Sequence, residues 1–293
     1  MFKGSIVALV TPMTENGDVD YPSLQKLVEF HIQSGTDGLV AVGTTGESAT
    51  LPMQEHIEVV RKIVEYAGKR IRVISGSGAN STSEAIELSQ ASAEVGADGL
   101  LSVVPYYNKP QQRGMVAHFE KVADACELPL LLYNVPGRTV ADMLPQTTAE
   151  LAAHPRIVGL KDATGDLNRL QELKRILPED FILLSGDDPT GCEFMLQGGH
   201  GVISVTANVV PALMAKLCKA ATSGARSEAE QTDKSLQALH QALFIEPNPV
   251  MPKWALYRMG MIPTPVLRLP MVEPELASQK TIEAVLHDIG VIS

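Results

Sequence analysis

Gly35-Thr36-Asp37-Gly38-Leu39 recurs as Gly96-Ala97-Asp98-Gly99-Leu100, and Gly198-Gly199-His200-Gly201-Val202 is a looser third copy. In each, a glycine ends a stretch of helical period, two residues turn the chain, and an apolar run begins. Glycine suits the position because it tolerates the positive φ at which helices commonly stop. One helix-to-strand turn used repeatedly implies one architecture reused along the chain, not several unrelated domains.

Working outward from these turns, β-branched or leucine-rich runs at residues 5–10, 38–42, 70–75, 99–103, 130–133, 157–161, 181–185 and 201–204 predict eight strands. Most are apolar throughout and do not alternate, so both faces should be covered, as in a parallel sheet. Helical signals lie between them. Pro22-Ser23 opens a helix ending near Gly35, Pro52 sits in the first turn of one ending at Gly68, and Ser81-Thr82-Ser83-Glu84 is placed to cap a third. Eight βα units within residues 1–224 predict an α/β fold, the (β/α)8 TIM barrel. A doubly wound open sheet is the alternative, but six strands usually suffice there and no dinucleotide fingerprint follows the first strand. Residues 225–293 carry helical stretches at 227–244, 249–259 and 277–289 without strand signals, and read as a C-terminal helical subdomain joined through Pro247, Pro249, Pro263 and Pro265.

Bulk properties narrow the function. A chain of 293 residues, 45% of them hydrophobic, builds a core without staples. Its formal charge of -10, with no offsetting basic patch, disfavours nucleic acid as a partner. Cys126, Cys192 and Cys218 show neither metal nor redox spacing, which suits a reducing cytoplasm. The apolar start is too short for a signal segment and ends at Thr11-Pro12. No run of about 18 apolar residues exists, so no membrane span is expected. The histidines are scattered without ligand spacing, and no protein-bound metal is expected.

In a barrel, the chemistry sits at the carboxyl ends of the strands. There the sequence places Gly43-Thr44-Thr45-Gly46-Glu47, Pro105-Tyr106-Tyr107, Tyr133-Asn134-Val135-Pro136-Gly137-Arg138, Lys161-Asp162 and Gly186-Asp187-Asp188. An ordinary lysine has a pKa of about 10.4, so roughly one in a thousand is neutral near pH 7.4. Burial at a strand end penalises the ammonium form and frees the amine to attack a carbonyl. Lys161 is placed for this, a solvated lysine closing a strand being the plain alternative. Tyr133, on the neighbouring strand, is in reach to shuttle protons, or is a core tyrosine. Arg138 suits a carboxylate clamp. Residues 43–47 offer backbone N–H groups and two hydroxyls to a carboxylate or phosphate, without the Walker Gly-Lys-Ser/Thr. Gly76-Ser77-Gly78 reads as a close-packed strand exit.

Together, Gly-Thr-Thr-Gly-Glu at 43–47, Tyr-Asn-Val-Pro-Gly-Arg at 133–138 and Gly-Leu-Lys-Asp at 159–162 resemble the dihydrodipicolinate synthases, now called 4-hydroxy-tetrahydrodipicolinate synthases, over essentially the whole chain. The resemblance implies that Lys161 forms an imine with pyruvate. The adduct then attacks L-aspartate 4-semialdehyde and cyclises, in the diaminopimelate route to lysine, without a cofactor. It implies a proton relay of Thr44 and Tyr133, with Tyr107 contributed by a neighbouring subunit. Thr45 would hold the pyruvate carboxylate and Arg138 the semialdehyde, with Gly186 and Ile203 lining the pocket. A shared site implies at least a dimer. The family is commonly a homotetramer, although Leu167 near Gln197 would make a less apolar second interface. Ser48, Ala49, His56, Asn80, Glu84 and Tyr106 match the positions that bind lysine in feedback-inhibited members, with Glu84 for the ammonium. Met53 departs from the polar residue that inhibited relatives often carry. N-acetylneuraminate lyase and other pyruvate-dependent class I aldolases share the barrel, tyrosine and lysine. Pro136-Gly137-Arg138 favours the synthase, since a fixed cation suits a short carboxylate better than a polyhydroxy chain. A noncatalytic sensor would keep the fold alone, and the intact lysine, tyrosine and threonine set argues against it.

Overall fold

The computed structural model describes residues 2–292. Its parallel strands are β1 Gly4–Ala8, β2 Gly38–Ala41, β3 Arg72–Gly76, β4 Gly99–Val103, β5 Leu130–Asn134, β6 Ile157–Asp162, β7 Ile182–Ser185 and β8 Gly201–Ser204. They close in sequence order, β8 pairing with β1 through Gly4–Gly201 and Ile6–Ile203, which excludes the open doubly wound sheet. All eight expected strands form, with ends shifted by a residue or two. At β3 the reason is local: the Arg70 amide donates to Ala67 O, so residues 70 and 71 belong to the preceding turn.

The helices are α1 Tyr21–Gln33, α2 Met53–Ala67, α3 Thr82–Glu94, α4 Gln112–Asp124, α5 Pro136–Thr139, α6 Pro145–Leu151, α7 Leu167–Ile176, α8 Asp188–Leu196, α9 Pro211–Thr222, α10 Arg226–Ala242, α11 Val250–Arg258 and α12 Leu276–Asp288. Asp20 caps α1 by accepting from Ser23 N at 3.1 Å, and Gly68 ends α2 in the left-handed region. Ser81 holds the N-cap position of α3 but does not cap it; its hydroxyl pairs instead with Ser83 Oγ at 3.0 Å.

The repeated turn has a purpose that composition alone does not reveal. Gly35, Gly96 and Gly198 all have positive φ. Just beyond them, Asp37 Oδ2 accepts from Ser5 N at 2.8 Å, Asp98 Oδ2 from Val73 N at 2.9 Å, and His200 Nδ1 from Leu183 N at 3.0 Å. The backbone N–H of the same residue donates back to Ser5, Val73 or Leu183. Each turn therefore docks its own strand onto the one before, and histidine replaces aspartate as the acceptor in the third copy.

Inward side chains such as Ile6, Val40, Ile74, Leu131, Leu184 and Ile203 fill the barrel, while Val7, Leu39, Leu100, Leu132 and Val202 face the helices. Both faces are dry, which is why the strands read as unbroken apolar runs. After the eighth barrel helix, α10 packs on α8 and α9, and α12 packs on α10 and α11. Leu236, Leu239, Ile282 and Leu286 belong to the same hydrophobic cluster as Val7 and Leu217. Among the described residues no helix is long and apolar enough to cross a membrane.

The seam between β8 and β1 leaves no space for a side chain. A Cβ on Gly201 would lie 2.3 Å from Gly4 O and 2.5 Å from Gly4 N, both backbone atoms with nowhere to move. Gly201→Ala is expected to lower stability in urea unfolding by about 3 kcal/mol; an unchanged midpoint would contradict the close packing at the seam.

Candidate active site

Lys161 pairs in register with Tyr133 on β5 and Leu184 on β7, and its side chain turns into the barrel mouth with 6% of the residue exposed. Its Nζ lies 4.3 Å from the centre of the Tyr133 ring. Gly186 makes room for it: a Cβ there would stand 2.7 Å from Lys161 Cε and 2.7 Å from Ala163 Cβ. Burial pushes the Lys161 ammonium down to about 7; the Asp188 carboxylate opposes that shift and Arg138 adds to it. About half of the amine is thus neutral near pH 7, against roughly one in a thousand for a free lysine.

Burial raises the Tyr133 pKa, while the Arg138 charge and a side-chain hydrogen bond with Thr44 pull the other way. The phenol stays protonated at neutral pH, with Thr44 near it in the cavity wall and the amine lying against its ring. These residues, with Thr45, Arg138 and Gly186, line a cavity of about 160 Å³. Ile203 does not line it. Strand alternation points Ile203 inward but one layer lower, in the barrel core beside Ile6 and Leu184, and Val205 lines the cavity instead. Tyr107 stands outside the cavity at 89% exposure, on a backbone with φ 74°.

In the 43–47 loop the Glu47 amide donates to Thr44 O at 3.1 Å and the following Ser48 amide to Gly43 O at 3.3 Å, while the Thr44, Thr45 and Gly46 amides donate to no acceptor among the described residues and stay available beside the threonine hydroxyls. Gly76 and Gly78 are close-packed: a Cβ on either would come within 2.3 Å of backbone atoms of Val42 or Val103.

A second cavity of about 340 Å³ shares the Thr44, Ser48, Arg138 and Asn248 walls with the first. Ser48, Ala49, His56, Glu84 and Tyr106 line it, as does Met53. Asn80 is not among its walls; its amide donates to Tyr106 O at 3.2 Å and its carbonyl accepts from Asn108 Nδ2 at 2.8 Å, holding the 106–108 loop in place. Burial pushes His56 down to about 4, so the ring is neutral at pH 7. Its Nε2 sits 2.8 Å from Gly76 O and must carry the proton there, which leaves Nδ1 as an acceptor.

Three groups at the site received no role from the sequence. Asn248 donates from Nδ2 to Thr45 Oγ1 at 2.9 Å and accepts from Arg138 Nη2 on its backbone oxygen at 3.3 Å. Its flanking prolines mark a turn but give no hint of that destination. Asp188 is buried, with Oδ2 accepting from Val205 N at 2.8 Å and Thr206 N at 3.0 Å. Finally, Lys253 of α11 is wholly buried and meets Glu47 Oε1 at 2.5 Å. It interrupts the otherwise apolar run Val250–Leu256, a sign of burial that carries no hint of the Glu47 partner.

The lowered Lys161 pKa has two measurable consequences. Amidination by methyl acetimidate requires the free base, so labelling of Lys161 should rise with pH through a midpoint near 7, whereas exposed lysines follow about 10.4. Between about 7 and the ordinary lysine value of about 10.4 the unfolded chain holds a proton that the folded chain lacks, so the cost that burying this group places on folding diminishes as pH rises. A Lys161 midpoint above 9, read by peptide mass spectrometry, would contradict the desolvated environment.

The match to known proteins extends from these residues to the whole chain. The model of the dihydrodipicolinate synthetase family matches residues 1–289. A protein of Pseudoalteromonas atlantica (strain T6c / ATCC BAA-1087) named 4-hydroxy-tetrahydrodipicolinate synthase is 66% identical over 293 residues, covering 100% of both chains. The chloride-inhibited dihydrodipicolinate synthase of Acinetobacter baumannii, solved in complex with pyruvate, is similar at a TM-score of 0.98 and 49% identity, over 100% of both chains. The enzyme of Cyanidioschyzon merolae, solved with lysine bound, is similar at a TM-score of 0.95 and 38% identity, over 99% of both chains. With the barrel closed, the lysine buried at its mouth and the likeness running end to end, the chain belongs to the dihydrodipicolinate synthetase family.

Proposed function

We propose that this enzyme condenses pyruvate with L-aspartate 4-semialdehyde to give 4-hydroxy-tetrahydrodipicolinate, and that Lys161 is its nucleophile. The observation that carries the assignment is the buried Lys161 amine, lowered to about 7 and lying 4.3 Å from the Tyr133 ring centre. The free amine attacks the pyruvate ketone, and the carbonyl oxygen leaves as water after taking up two protons, giving the imine. The protonated imine withdraws electrons from the adjacent methyl group, which loses a proton and becomes the nucleophilic enamine carbon. That carbon bonds to the semialdehyde carbonyl, whose oxygen takes a proton. The amino group of the second substrate then attacks the imine carbon, closing the ring and releasing Lys161.

The protonated Tyr133 phenol and its Thr44 partner supply the proton route, with Tyr107 of a second copy completing it. Thr45, held by Asn248, receives the pyruvate carboxylate, and Arg138 the carboxylate of the semialdehyde. Gly186 keeps space for the lysine stem, and Ile203 supports the floor beneath. This assignment of Tyr107 requires at least a dimer, and its exposed ring is free to reach a second copy.

Treatment with pyruvate and borohydride should leave a reduced three-carbon adduct on Lys161 and none in Lys161→Arg. The same enzyme should consume aspartate semialdehyde in preference to N-acetylmannosamine. An unlabelled Lys161 peptide would remove every pyruvate-imine reading, and the reverse preference would reassign the chain to the sugar-acid lyases.

The second cavity is proposed to bind lysine as a feedback inhibitor. Glu84 faces it as a carboxylate for an ammonium group, and neutral His56 presents Nδ1 as an acceptor. Glu84→Gln should raise the lysine concentration for half-inhibition by about tenfold, the effect of losing one charge-assisted hydrogen bond. Activity indifferent to millimolar lysine in the unaltered enzyme would sink the assignment.

A further inference from the structure

Lys253 has no exposed surface, yet it lies outside the cavity lining and none of the chemistry above calls on it. Its ammonium meets Glu47 Oε1 at 2.5 Å and Val266 O at 2.6 Å, and the other Glu47 oxygen accepts from Arg268 N at 2.9 Å. Burial lowers the Lys253 pKa and Glu47 opposes that shift. The tail carrying these donors is itself tied down. The Arg268 guanidinium donates to Gly17 O at 2.9 Å and Thr50 O at 3.2 Å, and forms a two-pronged pair with Glu55 at 2.5 and 2.7 Å. Thr264 Oγ1 donates to Met13 O at 2.9 Å.

Glu47 is the last residue of the loop that bears Thr44 and Thr45, and its own backbone is left-handed with φ 61°, as is Val42 before the loop with φ 51°. Non-glycine residues hold that conformation only when their surroundings over-determine it. At the middle of the loop, Thr11 Oγ1 donates to Gly46 O at 2.8 Å, and a Cβ on Gly46 would come within 2.9 Å of Val42 Cα. At its end the buried pair adds a charge-assisted fastening to the Asn248 donation onto Thr45 Oγ1. An isolated buried ion pair contributes little net stability, because desolvation offsets most of its attraction, but it is strongly directional. Its position at the hinge of a strained catalytic loop therefore points to geometry as its role.

We propose that Lys253, acting through Glu47, is a positioning residue for the reaction: it fixes the β2–α2 loop so that Thr44 reaches Tyr133 and Thr45 faces the cavity. This rests on the condensation proposed above. Lys161 is carried on β6 and does not depend on the pair, so imine formation at saturating pyruvate and the later proton transfers should respond differently to its loss.

The test compares the unaltered enzyme with two variants. Glu47→Gln/Lys253→Met removes both buried charges at nearly constant volume, and Glu47→Asp keeps the charges but shortens the arm. Thermal unfolding establishes that each variant is folded at the assay temperature. Borohydride trapping at saturating pyruvate should label Lys161 in all three proteins. In the double variant kcat/KM for pyruvate should fall by about 100-fold, with KM raised and kcat lowered, which is the scale of a roughly 1 Å misplacement of catalytic groups. Glu47→Asp should fall between the two. A merely structural pair would lower the unfolding temperature and leave kcat and KM untouched in folded protein, and that result in either variant overturns the proposal. If the double variant does not fold, Glu47→Asp alone decides between these outcomes. An unlabelled unaltered enzyme defeats the condensation reading, whereas a labelled one with unaltered constants in the variants defeats only the positioning role.

Discussion

Taking an ammonium ion out of water into a protein interior is costly, and the site is organised around an amine that has been carried there. Lys161 is held on a strand whose neighbours on both sides are part of the closed sheet, so it cannot swing out to solvent as a lysine on a loop would. The interior responds by moving the proton equilibrium: burial lowers the pKa to about 7, and Asp188 limits the fall. Without that counter-charge the pKa would fall further. On the reaction proposed above, the same carboxylate also stands near the cationic imine nitrogen. Gly186 is a condition of the same arrangement, because the space a side chain would take is occupied by Lys161 Cε.

In the proposed reaction the desolvated amine is the point of attack, and several proton transfers then need neighbours held as rigidly as the lysine. Tyr133 gains that rigidity from β5. Thr44 and Thr45 have no strand to hold them, and their loop is secured instead by contacts that arrive from the distant tail: Asn248 on Thr45, and Lys253 with Arg268 on Glu47. The helical tail thus bears on the chemistry through the least regular wall of the cavity. This division follows from barrel geometry, in which strand ends are fixed by the sheet and the loops beyond them require additional fastening.

That division also explains what the sequence made legible. Strand runs and glycine-ended turns are local patterns, so the eight strands and their order could be read, as could the clustering of Lys161, Tyr133, Thr44 and Arg138 at one mouth. The period-two alternation specifies which face a residue occupies but not its depth, so it offered no check on the resemblance that names Ile203 for the pocket lining, where Val205 stands instead. The second role of the repeated turn, in which Asp37, Asp98 and His200 bind the preceding strand, depends on hydrogen bonds between separate elements. Asn248 and Thr45 are separated by 203 residues, and Lys253 and Glu47 by 206. No window of sequence contains both partners of either pair. Lys253 stands alone in the apolar run at 250–256, which signals burial, but only the folded chain shows the carboxylate that meets it.

The common wall of the two cavities has a thermodynamic implication that does not depend on any large movement. Thr44, Ser48, Arg138 and Asn248 border both spaces, so a ligand in the second cavity touches the elements that carry the hydroxyls and guanidinium of the first. If that ligand binds more tightly to one position of the 43–48 loop than to another, it changes the population of loops that place Thr44 against Tyr133. Substrate in the first cavity must then change affinity in the second by the same factor. The buried Glu47 carboxylate lies at the end of this shared loop and stiffens it. A loop held in one position leaves a second ligand little to shift, so any coupling between the cavities requires that the Glu47 contacts to Lys253 and Arg268 leave the loop a second position.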